Sequence, residues 1–120
     1  MSEIDLSALV RSYYSRVDAG DVEGLLDLFA AAAIYRRPGY APMQGKQSLE
    51  SFYRGERVIA HGRHEIFSVV AESPRVAVTG SFSGELKDGT QVHLDFADFF
   101  TVGVDGLFSR RETYFYAPLV

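Results

Sequence analysis

An acidic residue lies on the apolar face of a predicted strand, and it is the strongest candidate for chemistry in this chain. Residues 90–102 alternate in character, and one of the two phases reads Val92, Leu94, Phe96, Asp98, Phe100 and Val102. Because successive strand residues point to opposite faces, Asp98 is predicted to lie inside, among aromatic rings. A buried ionised carboxylate is costly without a partner, so Asp98 either meets a cation or hydrogen-bond donors, or is held as a neutral acid. Both states favour a functional site over a purely structural acid.

A second candidate group is a tyrosine on the first predicted helix. Residues 4–18 place one apolar stripe at helical spacing, made of Leu6, Leu9, Val10, Tyr13 and Val17. Tyr13 is therefore predicted to face the core, whereas Tyr14 lies at the margin of the stripe. A buried tyrosine hydroxyl needs a hydrogen-bond partner, which is either another site residue or a backbone carbonyl.

The last predicted strand, residues 107–117, has two possible registers. We favour the register that turns Arg111 and Thr113 inward. The other register turns in Arg110, Glu112 and Tyr114. The groups expected to converge with Asp98 on one cavity are Tyr13, Tyr35, Tyr53 and Arg37.

These side chains meet only if helices and strands surround one cavity. Apolar spacing predicts helices over residues 4–18, over a segment after Asp21 that carries Leu25, Leu26, Leu28 and Phe29, and over residues 47–60. Strands are predicted over residues 34–38, 64–71, 75–86, 90–102 and 107–117. Helices followed by an antiparallel meander indicate an α+β fold, with helices covering one face of a curved sheet. Gly80 in mid-strand predicts a bend that curls this sheet into a cone.

The composition limits the class of partner. The chain has 120 residues, of which 12 are basic and 16 acidic, so its net charge is −4 and neither sign runs in blocks. This argues against a nucleic-acid or anionic-membrane surface. Cysteine is absent, which excludes disulfides and thiolate sites, and the longest apolar run, residues 28–34, is too short to span a membrane. We expect one domain over residues 1–120, a cytoplasmic location because the acidic N-terminus lacks a signal-peptide core, and a small hydrophobic molecule as partner.

The sequence lacks the motifs of the common cofactor and nucleophile sites. No phosphate-binding glycine loop or nucleophile elbow is present. His61, His64 and His93 are scattered, and the close pair His61 and His64 lies at a predicted helix-to-strand junction, which does not favour metal ligation. No histidine is held near an acid by local spacing, so a serine triad is not indicated. We expect neither a metal nor a cofactor.

Several segments together resemble a known family. They are the run from Tyr13 to Phe29 with its Ala19-Gly-Asp21, then Tyr35-Arg-Arg-Pro38, Gly45, Phe52-Tyr53, Phe96-Ala-Asp-Phe-Phe100 and the run from Asp105 to Phe115. In these segments the chain resembles the SnoaL-like and ketosteroid-isomerase-like branch of the NTF2-like superfamily. The resemblance implies a cone-shaped curved antiparallel sheet covered by three N-terminal helices, and a homodimer formed through the sheet.

The resemblance also implies roles for single residues. Tyr13 falls where ketosteroid isomerases place an oxyanion-hole tyrosine, Asp98 falls on their protonated aspartic acid, and Tyr53 falls on a supporting tyrosine. Arg37 stands where those enzymes have the proton-abstracting aspartate. Because an arginine cannot shuttle a proton near neutral pH, ordinary ketosteroid isomerisation is not expected.

A comparison with limonene-epoxide-hydrolase-like enzymes gives a partial match. Tyr35 matches their water-holding tyrosine, and Arg63 with Glu65 loosely resembles their Arg-x-Asp pair. The second catalytic aspartate of those enzymes falls near Thr113, which argues against the same mechanism here.

The leading hypothesis is a cofactor-independent acid/base enzyme of secondary metabolism, of cyclase, isomerase or dehydratase type, acting on a small apolar, polyketide-like metabolite. Asp98 would be the general acid or base, Tyr13 would donate to an oxyanion, and Arg37 would anchor an anionic oxygen or set the charge of Asp98. The substrate would be bound by Tyr35, Phe52, Tyr53, Phe82, Phe96, Phe100, Arg111 and Thr113.

Two other functional classes fit the sequence. One is a non-catalytic binding protein for a hydrophobic molecule, in which a buried Arg37–Asp98 ion pair would be structural. The other is an epoxide-hydrolase-like enzyme. The outward strand face with His93, Ala97, Phe99 and Thr101 is expected to form a homodimer.

Overall fold

The first helix crosses the concave face of the sheet and buries more tyrosine than its periodicity predicts. The computed structural model describes residues 5–116, and helix α1 runs over Leu6–Asp18, with the Asp5 carboxylate accepting from the Ala8 N–H at 3.0 Å. The predicted start at residue 4 lies outside the described residues. Tyr13 is buried as expected, but Tyr14 is buried too. The placement of Tyr14 at the margin was wrong because the curved sheet reaches around the helix, so that its ring packs against His64 and Phe96.

The second helix is shorter than predicted. Helix α2 covers only Val22–Leu26, capped by the Asp21 side chain, and Phe29 begins strand β1, Phe29–Arg36. The alanine tract that follows Phe29 is therefore strand, and the strand starts five residues before the predicted position 34. Alanine favours helix locally, but hydrogen bonding to strands on both sides of β1 overrides this preference.

The third helix changes its winding before it ends. A short strand β2, Met43–Gln44, precedes helix α3, Lys46–Ser51, which continues as a π-helical turn over Phe52–Glu56. The predicted end at residue 60 was too late because residues from 59 onward form a strand instead. Within residues 5–116, no helix is long and apolar enough to cross a membrane.

The remaining strands form the predicted meander. They are β3, Ile59–Glu72, β4, Arg75–Leu86, β5, Gln91–Val102, and β6, Phe108–Tyr116. The sheet order is β2-β1-β6-β5-β4-β3, and neighbours from β3 to β6 are antiparallel. Strand β1 runs parallel to β6, which corrects the fully antiparallel prediction. The reason is that no hairpin joins these two strands, so their direction is not fixed by a turn.

The sheet curves where the pairing between β3 and β4 shifts its register. The pairing shifts between Ile66 and Ser68, opposite Gly80. A Cβ atom on Gly80 would lie 2.3 Å from the Glu65 carbonyl oxygen, so only glycine permits this close approach. The predicted bend at Gly80 is confirmed. The α+β fold with a curved sheet under N-terminal helices is confirmed as well, and the concave side encloses the core.

Candidate functional site

A cavity of about 440 Å³ opens between helix α1, the π-helical turn and the concave face of the sheet. Aromatic and aliphatic side chains line most of it. Of the aromatic residues expected to bind substrate, four line the cavity, namely Tyr35, Tyr53, Phe82 and Phe96. Phe52 and Phe100 are fully buried in the core and are absent from the cavity wall. Tyr13, Arg37, Arg111 and Thr113 do line it, so most of the expected groups converge.

Asp98 lies behind this wall, fully buried, and both of its oxygens accept hydrogen bonds. Arg111 Nη2 donates to Oδ2 at 2.9 Å, the Tyr14 hydroxyl donates to the same oxygen, and the Thr113 hydroxyl donates to Oδ1. The ion pair is formed with Arg111, so the expected Arg37–Asp98 pair is wrong. Pairing of Asp98 with Thr113 across β5 and β6 also confirms the register that turns Arg111 and Thr113 inward.

Arg111 connects this buried acid to two tyrosines on the cavity wall. Its Nη1 donates to the Tyr13 hydroxyl at 2.5 Å and to the Tyr53 hydroxyl at 3.0 Å. The two hydroxyls also share a hydrogen bond at 2.5 Å. Each hydroxyl carries one proton, and only one of the two protons is used in that bond. The other proton is therefore available to an oxygen atom of a ligand.

Burial sets the ionisation of the cluster. Desolvation raises the pKa of the Tyr13 hydroxyl well above its ordinary value, although the Arg111 charge acts in the opposite direction, and the pKa of Tyr53 is raised for the same reason. Burial lowers the pKa of Arg111, but Asp98 acts in the opposite direction together with Tyr13, Tyr35 and Tyr53, and their sum leaves the pKa raised. Near neutral pH the tyrosines are thus neutral donors and the guanidinium is charged.

The Tyr35 hydroxyl can accept a hydrogen bond from a ligand but cannot donate one, because its proton is already used in a hydrogen bond within the protein. It lies 3.1 Å from the Thr113 hydroxyl, which itself donates to Asp98. Tyr35 must therefore donate to Thr113, which leaves its own oxygen free to accept. The Arg111 guanidinium carbon lies 4.5 Å from the centre of the Tyr35 ring, a cation–π contact that fixes the ring against the cluster.

A histidine held by a carboxylate forms part of the same wall, and the sequence did not predict it. His64 Nδ1 lies 2.6 Å from Asp18 Oδ1, and the His64 backbone N–H donates to Asp18 Oδ2 at 2.8 Å. In the neutral ring, the carboxylate assigns the proton to Nδ1, so Nε2 is left as the acceptor. The pair was missed because Asp18 ends α1 and His64 follows 46 residues later, on β3. Only the fold brings them together.

Arg37 also lines the cavity, where it packs among three aromatic rings. Its guanidinium carbon is 5.3 Å from the ring centre of Tyr40 and 5.4 Å from those of Phe52 and Phe115. Arg63 and Glu65, the pair compared with epoxide hydrolases, are exposed and are absent from the cavity wall. Between residues 5 and 116, no three acidic or histidine side chains cluster in a way that would hold a metal ion.

A curved sheet closed by N-terminal helices around one cavity defines the NTF2-like class of fold. The chain belongs to the SnoaL-like domain family, which it matches over residues 10–111. It is similar to an NTF2-like protein of unknown function from Burkholderia pseudomallei, with TM-score 0.83 and 19% identity over 92% of this chain and 89% of that chain. It is also similar to TerC co-crystallised with polyporic acid, with TM-score 0.80 and 22% identity over 92% and 90% of the two chains.

A third similar structure is SalBIII, an epoxide hydrolase/cyclase-like enzyme of pyran ring formation in the polyether salinomycin. Its TM-score is 0.81 at 19% identity, over 92% of this chain and 89% of that chain. Identities this low show the shared fold alone. No curated protein matches the sequence.

We predict that Asp98→Asn lowers the free energy of unfolding by about 3–5 kcal/mol, because it leaves the Arg111 charge buried without a counter-charge. Urea unfolding measures this loss. Asp95→Asn is the matched control, since Asp95 lies on the same strand but is exposed, and a change within about 0.5 kcal/mol is expected. The double variant Asp98→Asn/Arg111→Met should recover part of the loss. Equal effects of the two aspartate substitutions would contradict this account.

Proposed function

We propose that this protein is a cofactor-independent enzyme that carries out an acid/base step on a small apolar, polyketide-like metabolite held in the cavity. The observation that carries the proposal is a single cavity wall with a carboxylate-held histidine, His64, and an arginine-held tyrosine pair, Tyr13 and Tyr53. Similarity to TerC, co-crystallised with polyporic acid, and to the cyclase-like SalBIII supports a small-molecule substrate.

The cavity is suited to such a ligand by size and composition. Its volume of about 440 Å³ lies within the range of ordinary small-molecule sites, which are mostly apolar with a few polar groups. Phe82, Leu94 and Phe96 supply apolar wall from the sheet. The few polar groups can therefore orient a substrate, while its carbon skeleton binds through burial of apolar surface.

The tyrosine pair provides the oxyanion site. One of the two hydroxyls, Tyr13 or Tyr53, can donate a hydrogen bond to a carbonyl oxygen of the substrate. That oxygen would develop negative charge beside the Arg111 guanidinium. One such donor typically contributes about 10²–10³-fold to the rate. Asp98 does not touch the substrate in this account, because its oxygens are occupied by Tyr14, Arg111 and Thr113. Asp98 is instead a positioning residue that holds Arg111.

His64 is the general base. Its Nε2 would remove a proton from the carbon next to the substrate carbonyl, and the electron pair would move to the carbonyl oxygen at the tyrosines. The resulting enolate can be protonated at another carbon, attack a second carbonyl group or expel a hydroxyl group, which are isomerisation, cyclisation and dehydration. General base catalysis of this kind typically contributes about 10²–10⁴-fold. Asp18 keeps the ring in the productive tautomer and stabilises the imidazolium that forms.

The geometry favours this chemistry over epoxide hydrolysis by paired acids. Among residues 5–116, no aspartate or glutamate lines the cavity, so no carboxyl group of the described chain is in place to activate water or protonate an epoxide. A binding protein without catalysis is the competing proposal. The two are separated by asking whether a bound ketone is deprotonated.

We predict that the protein catalyses exchange of the α-protons of 2-tetralone with deuterium in D₂O, followed by proton NMR. This ketone is a small bicyclic probe, and exchange reports proton removal without the natural substrate. His64→Gln should slow the catalysed exchange by about 10²-fold or more. Removing both donors in Tyr13→Phe/Tyr53→Phe should slow it by a similar factor.

His61→Gln is the matched control, because His61 is exposed on β3, contacts Glu85 and does not line the cavity. It should leave the exchange rate unchanged. Binding of 2-tetralone without faster exchange would overturn the catalytic proposal in favour of a binding protein. Exchange that survives in His64→Gln would overturn the role of His64.

We further propose that the outer face of the sheet forms a homodimer. His93 and Phe99 are exposed there, and the Phe99 ring lies 5.7 Å from that of Tyr114. Tyr114 also borders a shallow hollow with Phe67 and Ala97. Tyr114 and Phe67 are 54% and 58% exposed in the single chain, and exposed apolar side chains grouped around one hollow are typical of an interaction surface.

Light scattering at micromolar concentration tests the dimer. The wild-type chain should have the mass of two copies, and Tyr114→Glu should have the mass of one, because the substitution introduces charge into the contact. Val104→Glu is the control, since Val104 is fully exposed in the turn between β5 and β6. A monomeric wild-type chain would rule out this interface.

A further inference from the structure

The cavity contains positive charge that the proposed reaction does not use. In the part of the chain that the structure describes, three arginines line it, Arg37, Arg57 and Arg111, and no acidic residue does. The charge of Arg111 is neutralised by its ion pair with the buried Asp98. Among residues 5–116, neither Arg37 nor Arg57 lies within 4.0 Å of a carboxylate oxygen. These two cations therefore face the cavity without a counter-charge from the described chain.

Arg37 is held in place by aromatic rings rather than by an acid. Its guanidinium carbon lies between Tyr40, Phe52 and Phe115, 5.3 to 5.4 Å from the ring centres. The Tyr40 hydroxyl is itself fixed by the Val58 N–H at 3.1 Å. Arg37 Nε is buried and has no hydrogen-bond partner among the described residues. A preorganised guanidinium with unused donors is typical of a site for a planar anion such as a carboxylate.

Glu112 does not neutralise Arg37. It borders a smaller hollow together with Arg37, but its carboxylate is engaged by Arg110 at 3.2 Å and by Arg36 at 3.5 Å. The charge of Arg37 is thus left for a ligand.

Arg57 adds a second cation to the same cavity, next to Val58, whose N–H donates to the hydroxyl of the tyrosine that packs on Arg37. The Arg57 guanidinium carbon lies 6.0 Å from the Tyr53 ring centre, and its backbone N–H closes the π-helical turn on the Phe52 carbonyl at 3.0 Å. The same turn therefore positions Tyr53, which serves the reacting oxygen, and Arg57. A ligand that contacts Tyr53 therefore lies close to the positive charge of Arg57.

We infer that the substrate of this cavity is an acid, an apolar ring or chain that carries a carboxylate bound by Arg37 and Arg57 while its ketone faces Tyr13 and His64. This inference rests on the proposed function for the ketone end, and on Arg37 and Arg57 alone for the carboxylate end. It narrows the substrate class from polyketide-like molecules in general to those with a free acid group.

Two probes of the same ring system and similar size test the charge. Naphthalene-2-carboxylate and 2-acetylnaphthalene differ in that only the first is an anion at neutral pH. Calorimetric titration should show that the carboxylate binds about tenfold more tightly or better, as expected for charge-assisted hydrogen bonds to arginine. Shifts of the His64 ring protons on binding verify that each probe occupies this cavity.

Arg37→Gln and Arg57→Gln should each reduce the preference for the carboxylate, and the double variant should abolish it. Arg63→Gln is the matched control, because Arg63 is an exposed arginine on β3 and does not line the cavity. It should retain the full preference. Equal affinity of the wild-type protein for the two probes, or an undiminished preference in the double variant, would overturn the inference.

The failures of the two proposals are distinguishable. A protein that prefers the carboxylate but does not exchange the protons of 2-tetralone has the anion site without the catalysis. A protein that exchanges them but shows no preference between the naphthalene probes has the catalysis without the anion site.

Discussion

The buried ion pair between Asp98 and Arg111 is the interaction on which the rest of the site depends. Two charges removed from water are tolerated only when each meets the other and their remaining hydrogen-bonding groups find partners. Here those partners come from three separate parts of the chain: Tyr13 and Tyr14 on α1, Tyr53 on the π-helical turn, and Thr113 beside Arg111 on β6. The need to satisfy this pair therefore fixes the helix, the turn and the two central strands relative to one another. It also places a charged guanidinium directly behind the tyrosine hydroxyls that face the cavity.

The same curvature that closes the core also brings Asp18 and His64, the proposed base, together. The shift of register opposite Gly80 bends β3 and β4 around α1. The C-terminal end of the helix therefore meets β3. Asp18 and His64 are joined at that point, and the His64 ring is packed between Tyr14, Phe82 and Phe96. The proposed base and the proposed oxyanion donors thus line one cavity. Among residues 5–116, only Arg37 and Arg57 carry charge into the cavity without such a partner.

Short-range patterns predicted the parts of the site that lie on regular strands and helices. The alternation of β5 placed Asp98 inside, and the helical stripe of α1 placed Tyr13 inside. The role of Tyr14 was not predictable from the stripe, because its burial depends on how far the sheet wraps around the helix. The Asp18–His64 pair was not predictable either, since no local spacing relates the two residues. The prediction for the alanine tract of β1 was wrong for a related reason. The local preference of alanine is helical, and only pairing with the distant strand β6 makes the tract a strand.

The central claim is that Tyr13 and Tyr53 are neutral hydrogen-bond donors held by Arg111. Carbon-13 NMR of the tyrosine Cζ atoms, assigned with Tyr13→Phe and Tyr53→Phe, tests it directly as a function of pH. Because burial raises the pKa of both hydroxyls, their signals should keep the neutral position above about pH 10, where an unfolded chain ionises. The stability that these protonated hydroxyls confer should be complete below about pH 10 and fall as the pH rises further. Ionisation of Tyr13 or Tyr53 at or below the ordinary value of about 10 would show that Arg111 stabilises a phenolate, and would contradict the account.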